Sequence, residues 1–123
     1  MKVAIQIPAS AATLSALMEG LVATNYVLLD RMRDPPRLYD SGVVYVPEPP
    51  GFEKWLTIPQ VLRIGQGDCE DLACWLAAEL RFFDAIPARA VAYRSGKKKF
   101  HAVVLYPDGS IEDPSEELGM ERR

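Results

Sequence analysis

The run Cys69–Phe83, "CEDLACWLAAELRFF", restricts the fold more than any other stretch. At 100° per residue, Cys69, Leu72, Ala73, Leu76, Leu80 and Phe83 share one helical face, and Cys74, Trp75, Ala78 and Phe82 form a second. Only a narrow strip with Glu70 and Arg81 is clearly polar. A helix that is apolar on two sides must be covered on two sides, so it belongs at the centre of a domain.

The rest of the chain supplies the cover. Val3, Ile5 and Ile7 alternate with polar or small neighbours, which reads as a short opening strand ended by Pro8 and not as a signal peptide. Ser10 or Thr13 then caps a helix to about Arg33, whose Leu14, Leu17, Met18, Leu21, Leu28, Leu29 and Met32 recur at helical spacing. Asp34-Pro35-Pro36 stops it. Six of the ten prolines fall between Pro35 and Pro59, so this region is expected to be mostly loop, with one short strand near Val43–Val46. After the central helix, "PARAVAYR" (87–94), "FHAVVLY" (100–106) and "SIEDP" (110–114) read as an antiparallel meander. Helices followed by strands indicate an α+β fold, with residues 1–123 as a single domain.

Composition removes several classes of function. A net charge of -3 gives no electrostatic case for nucleic acid or an anionic membrane. The one basic cluster, "RSGKKK" (94–99), reads as a solvated loop between strands. No continuous apolar run reaches bilayer length. Cys69 and Cys74, five apart on one helix, cannot bridge each other. Two free thiols point to a reducing, cytoplasmic compartment.

Chemistry concentrates at Cys69. Asp68 is placed to cap the helix, so Cys69 lies in its first turn, where unpaired amides and the helix dipole favour a thiolate. Three carboxylates, Asp68, Glu70 and Asp71, oppose it. One charge about 7 Å away costs a thiolate on the order of 2 kcal/mol, and an imidazolium about 4 Å away returns on the order of 4 kcal/mol. The balance therefore turns on the single histidine, His101. If Pro107–Gly109 forms a three-residue turn with Gly109 left-handed, Tyr106 pairs with Ser110 and Val103 faces Asp113. His101 is then the diagonal neighbour of Asp113 on the same face. A two-residue turn would put Asp113 on the wrong face.

"GDCEDLA", "FHAVVLY" and "DPS" together resemble the transglutaminase-like cysteine enzyme superfamily, over about Trp55 to Met120. The likeness is to the bacterial transglutaminase-like cysteine peptidases and to small proteins of this type in bacteria and their viruses. It implies a papain/transglutaminase-like core, with Cys69 as nucleophile, His101 as general base and acid, and Asp113 as its orienter. Glu112 is the alternative third member, because the hairpin is shorter than is usual in the family. Gln66 or Trp55 would add an oxyanion donor to the Cys69 amide. Asp68 and Glu70 match acidic residues that bind calcium in the peptidase branch, although helix capping accounts for the same positions. A zinc site of Cys69, Cys74 and His101 does not converge on one ion, and Cys74 reads as core.

The implied activity is thiol acyl transfer on amide bonds of a protein or peptide, with no cofactor required. A peptidase or amidase uses water to resolve the thioester, and a crosslinking transglutaminase uses an amine. The alternative is a non-catalytic bacterial or phage protein that keeps the fold, resident in the host cytoplasm or the virion.

Overall fold

The computed structural model describes residues 10–48, 54–96 and 99–121. The expected opening strand at Val3–Ile7 lies outside them, as do Lys97 and Lys98 of the basic cluster.

Helix α1 spans Ala11–Arg31, with Ser10 as its N-cap accepting from the amide of Thr13 at 3.0 Å. Its buried stripe is Leu14, Met18, Val22, Asn25 and Leu29, packed against the central helix and the sheet. Leu17, expected in that stripe, is half-exposed, and Asn25 takes a core position. The Asn25 side-chain oxygen accepts from the amide of Ile58 at 3.0 Å, which ties α1 to the next helix. One expectation is corrected here. By length and composition α1, 21 residues long with an 18-residue window of mean hydropathy 1.3, is long and apolar enough to cross a membrane. Glu19, Asn25 and Asp30 interrupt every continuous apolar run, yet a window of bilayer length tolerates two charges.

The proline-rich region holds more order than expected. Besides the expected short strand, β1 (Val44–Tyr45), it contains a 3-10 turn at Leu38–Asp40 and the start of helix α2 (Ile58–Ile64). Thr57 and Gln60 form a capping box for α2, and left-handed Gly65 ends it at φ 83°. Strand β2 (Gln66–Gly67) follows at once and pairs in parallel with β1, Val44 beside Gln66 and Tyr45 beside Gly67. On its other edge β1 is held by Tyr45 N–H donating to the carbonyl of Leu118 at 2.9 Å.

Helix α3 (Cys69–Asp84) is the central helix, and every residue from Leu72 to Leu80 is buried. Strands β3 (Arg89–Gly96), β4 (Lys99–Leu105) and β5 (Ile111–Glu112) form an antiparallel sheet in that order. Ala90, Ala102 and Val104 face the core with α1 and α3. A four-residue helix, α4 (Pro114–Glu117), closes the described chain. The architecture is α+β, with a buried helix against an antiparallel meander.

Two residues of α3, Glu79 and Phe83, depart from the helical-wheel reading. Glu79 is buried in the apolar run and accepts from Leu38 N–H at 2.7 Å and from Arg37 Nη1 at 3.2 Å. Arg37 also grips Asp84 with both terminal nitrogens, at 2.7 and 2.8 Å, and stacks over Phe83. Phe83 is therefore a half-exposed platform for Arg37 and not a core residue.

Candidate active site

The first turn of α3 is fastened from three directions. Asp68 Oδ1 accepts from Asp71 N–H at 3.0 Å, and Asp71 Oδ2 accepts from Asp68 N–H at 3.1 Å, a reciprocal capping box. The other oxygen of Asp71 accepts from Leu56 N–H at 2.8 Å, pinning residues 54–57 beside the helix start. Strand β2 crosses so close above that a Cβ on Gly67 would lie 3.2 Å from Cβ of Asp71 and 3.3 Å from Cδ2 of Leu72. Glycine is the residue that permits this approach. Asp71 is 2% exposed, because only a buried carboxylate reaches both amides.

His101 and Asp113 meet as the hairpin register requires. Gly109 is left-handed at φ 90°, Tyr106 N–H donates to Ser110 O at 2.8 Å, and Val104 pairs with Glu112. One step further along this register Val103 faces Asp113, and His101 is diagonal to it. Nε2 of His101 lies 2.6 Å from Oδ2 of Asp113, with both side chains mostly buried. Asp113 Oδ1 caps α4, accepting from the amides of Ser115 and Glu116 at 3.1 and 3.3 Å. The carboxylate is thus held through both oxygens, and it commits Nε2 of the imidazole, leaving Nδ1 for a second partner. Tyr93, opposite His101 on β3, stands edge-on to the ring at 5.6 Å and 82°.

The sulfur of Cys69 lies against β4. Amides two apart on a strand point the same way, so Ala102 N–H faces the side on which Tyr106 bonds β5. Strand β5 has already ended at Glu112, and the Ala102 amide meets Sγ of Cys69 instead. Glu70 competes for the same sulfur, since the thiol donates to its Oε2 at 3.3 Å. Burial pushes the acidity of Cys69 well down, and the charge of Glu70 adds to this; the Ala102 amide works the other way. Glu70, expected on a polar strip, is mostly buried against the thiol, and burial together with Asp68 raises its pKa.

The remaining expected residues fall into place or away. Gln66 is exposed beside Val44 on the outer face of the β1–β2 pair. Trp55 is half-buried and packs on the core next to Leu56. Glu112 does not meet His101; it accepts from the hydroxyls of Tyr39 and Tyr106. Cys74 is fully buried in the core, its thiol 3.7 Å from the carbonyl of Met18. Among the described residues no group of three or more His, Cys, Asp or Glu side chains is arranged around a metal position. For calcium, Asp68 Oδ1 and Glu70 Oε2 are already taken by the Asp71 amide and the Cys69 thiol.

Sequence reasoning passed over Tyr45, Tyr93 and the Ala102 amide. Tyr93 was not legible, because a register shift between Arg94 and Gly96, and not simple strand pairing, sets it opposite His101. Tyr45 falls on the short strand expected near Val43–Val46, but no sequence pattern announces its parallel partner β2. An open recess of about 530 Å³, lined by Glu19, Tyr26, Arg81, Ile86 and Arg89, lies at the other end of α3. Its lining residue on α3, Arg81, lies about 18 Å along the axis from Cys69 at 1.5 Å per residue, so the recess is not part of this site. Compared with protein-family models, curated proteins and solved structures, the chain matches none of them.

Proposed function

We propose that this chain is a cysteine-dependent acyl-transfer enzyme of the transglutaminase-like superfamily, a peptidase or amidase with a papain-like core and the triad Cys69, His101 and Asp113. The observation that carries the reading is the 2.6 Å bond between His101 and Asp113. It is made on a strand whose next residue, Ala102, presents its amide to the Cys69 sulfur. A structural histidine has no need of a carboxylate fixed through both oxygens beside a partly buried thiol.

In this mechanism Nδ1 of His101 takes the thiol proton, and Asp113 steadies the imidazolium. Sγ attacks the carbonyl carbon of a peptide or side-chain amide, forming a C–S bond as the C=O pair moves onto oxygen. The tetrahedral adduct collapses with breakage of the C–N bond, and the leaving amine takes the proton from His101. Water, activated by the same imidazole, resolves the thioester. An amine in place of water would make the enzyme a crosslinking transglutaminase. No cofactor is needed for either outcome.

A second reading, a non-catalytic bacterial or phage protein on the same fold, is favoured by one observation: the thiol donates to Glu70. Alkylation separates the two. Iodoacetamide should label Cys69 well before the buried Cys74, and His101→Ala should slow the labelling near pH 7 on the order of 10-fold or more. Equal labelling of both thiols, or a rate indifferent to His101, removes the enzymatic reading.

A further inference from the structure

An acyl-transfer site needs a donor for the oxyanion besides the amide of the nucleophile, and the register of the two-stranded sheet bears on which side chain supplies it. Paired residues of neighbouring strands share a face. Val44 and Gln66 are both exposed, so theirs is the outer face. Tyr45 and Gly67 share the inner face. The missing Cβ of Gly67 looks directly onto Asp71 and Leu72, in the first turns of α3. That close contact seats the strand pair on the start of α3, and the partly buried Tyr45 ring packs against the core that Cys69 also borders.

We infer that Tyr45 is a catalytic residue of this site, its phenolic hydroxyl joining the Cys69 amide as the donor pair for the oxyanion of the tetrahedral adduct. This rests on the acyl-transfer reading. The hydroxyls of Tyr39 and Tyr106 are spent on Glu112, whereas that of Tyr45 bonds no described residue. The charges that act on it are those of Cys69, Asp68, Glu70 and Asp113, which surround the reacting atoms. Burial first, and then these anions, raise its pKa. It is therefore a proton-bearing donor at neutral pH. During attack the C=O electron pair becomes the oxyanion, Tyr45 O–H donates a hydrogen bond without giving up its proton, and collapse re-forms C=O as the leaving group departs. Gln66, on the outer face, is displaced from this role.

The test compares two reactions of the same sulfur. Acylation by p-nitrophenyl acetate passes through an oxyanion, and alkylation by iodoacetamide does not. Tyr45→Phe should lower the rate of acyl-enzyme formation on the order of 10- to 100-fold and leave the Cys69 alkylation rate within about twofold of wild type. Unchanged acylation overturns the inference. Equal slowing of both reactions also overturns it, because Tyr45 would then act on the thiol. His101→Ala in the same assays keeps the two readings apart. If it slows neither reaction, the acyl-transfer reading itself fails; if it slows both while Tyr45→Phe slows none, only the role of Tyr45 fails.

Discussion

Replacing Glu70 by Gln removes a charge beside the thiol and keeps an oxygen in place to accept from it. A full carboxylate about 5 Å from a thiolate opposes it by roughly 3 kcal/mol at an effective dielectric of about 20. Burial and Asp68 raise the pKa of Glu70, so part of that penalty is already relieved near neutrality. Glu70→Gln should therefore quicken Cys69 alkylation at pH 7 on the order of 10-fold, and the gain should grow as pH rises and the native Glu70 ionises. Stopped-flow alkylation across pH 6–9 measures this, and an equal or slower rate would contradict it. At this scale the sequence was legible wherever local rules decide. Asp68 as cap follows from its place before an apolar run, and His101 beside Asp113 follows from turn length and strand parity. Glu70 was misjudged because a helical wheel records angle, not how far neighbouring strands extend beyond the end of a helix.

Arg37 anchors the segment that joins α1 to β1. Its guanidinium bridges buried Glu79 and surface Asp84 and rests on Phe83, at the end of α3 remote from the thiol. Arg37→Ala leaves Glu79 with only the Leu38 amide. Arg37 is 38% exposed, so solvent screening discounts the loss to about 1–2 kcal/mol rather than the 3–5 kcal/mol of a fully buried pair. Chemical denaturation should show this as a lower midpoint at unchanged slope. A loss below about 0.3 kcal/mol in that experiment would mean that the bridge is ornamental. Elements with a strong period, α1, α3 and the meander, were readable because amphipathic spacing and turn residues agree along many residues. Helix α2 and the β1–β2 pair were not, because each is short and is stabilised by partners far away in sequence. Asn25 on α1 holds the start of α2, and Leu118 holds the edge of β1.

Glu70, Asp71 and Glu79 share one consequence for the molecule as a whole, since burial raises the pKa of each. The folded chain binds more protons than the unfolded chain between the ordinary carboxylate value, about 4, and the raised ones. Stability therefore falls as pH rises through that window. Thermal melts should give a higher Tm at pH 5 than at pH 8, by roughly 5 °C or more, and Glu70→Gln should flatten the slope. A Tm that climbs toward pH 8 would show that the buried carboxylates do not govern the balance. The site is also assembled from pieces that the chain delivers in a fixed order. Cys69 leaves the ribosome before His101 and Asp113, and β1 waits for Leu118 to cover its free edge. On the proposed acyl-transfer reading, a nascent chain thus carries its thiol before the histidine proposed to activate it, and formation of the β4–β5 hairpin becomes the event that arms the site.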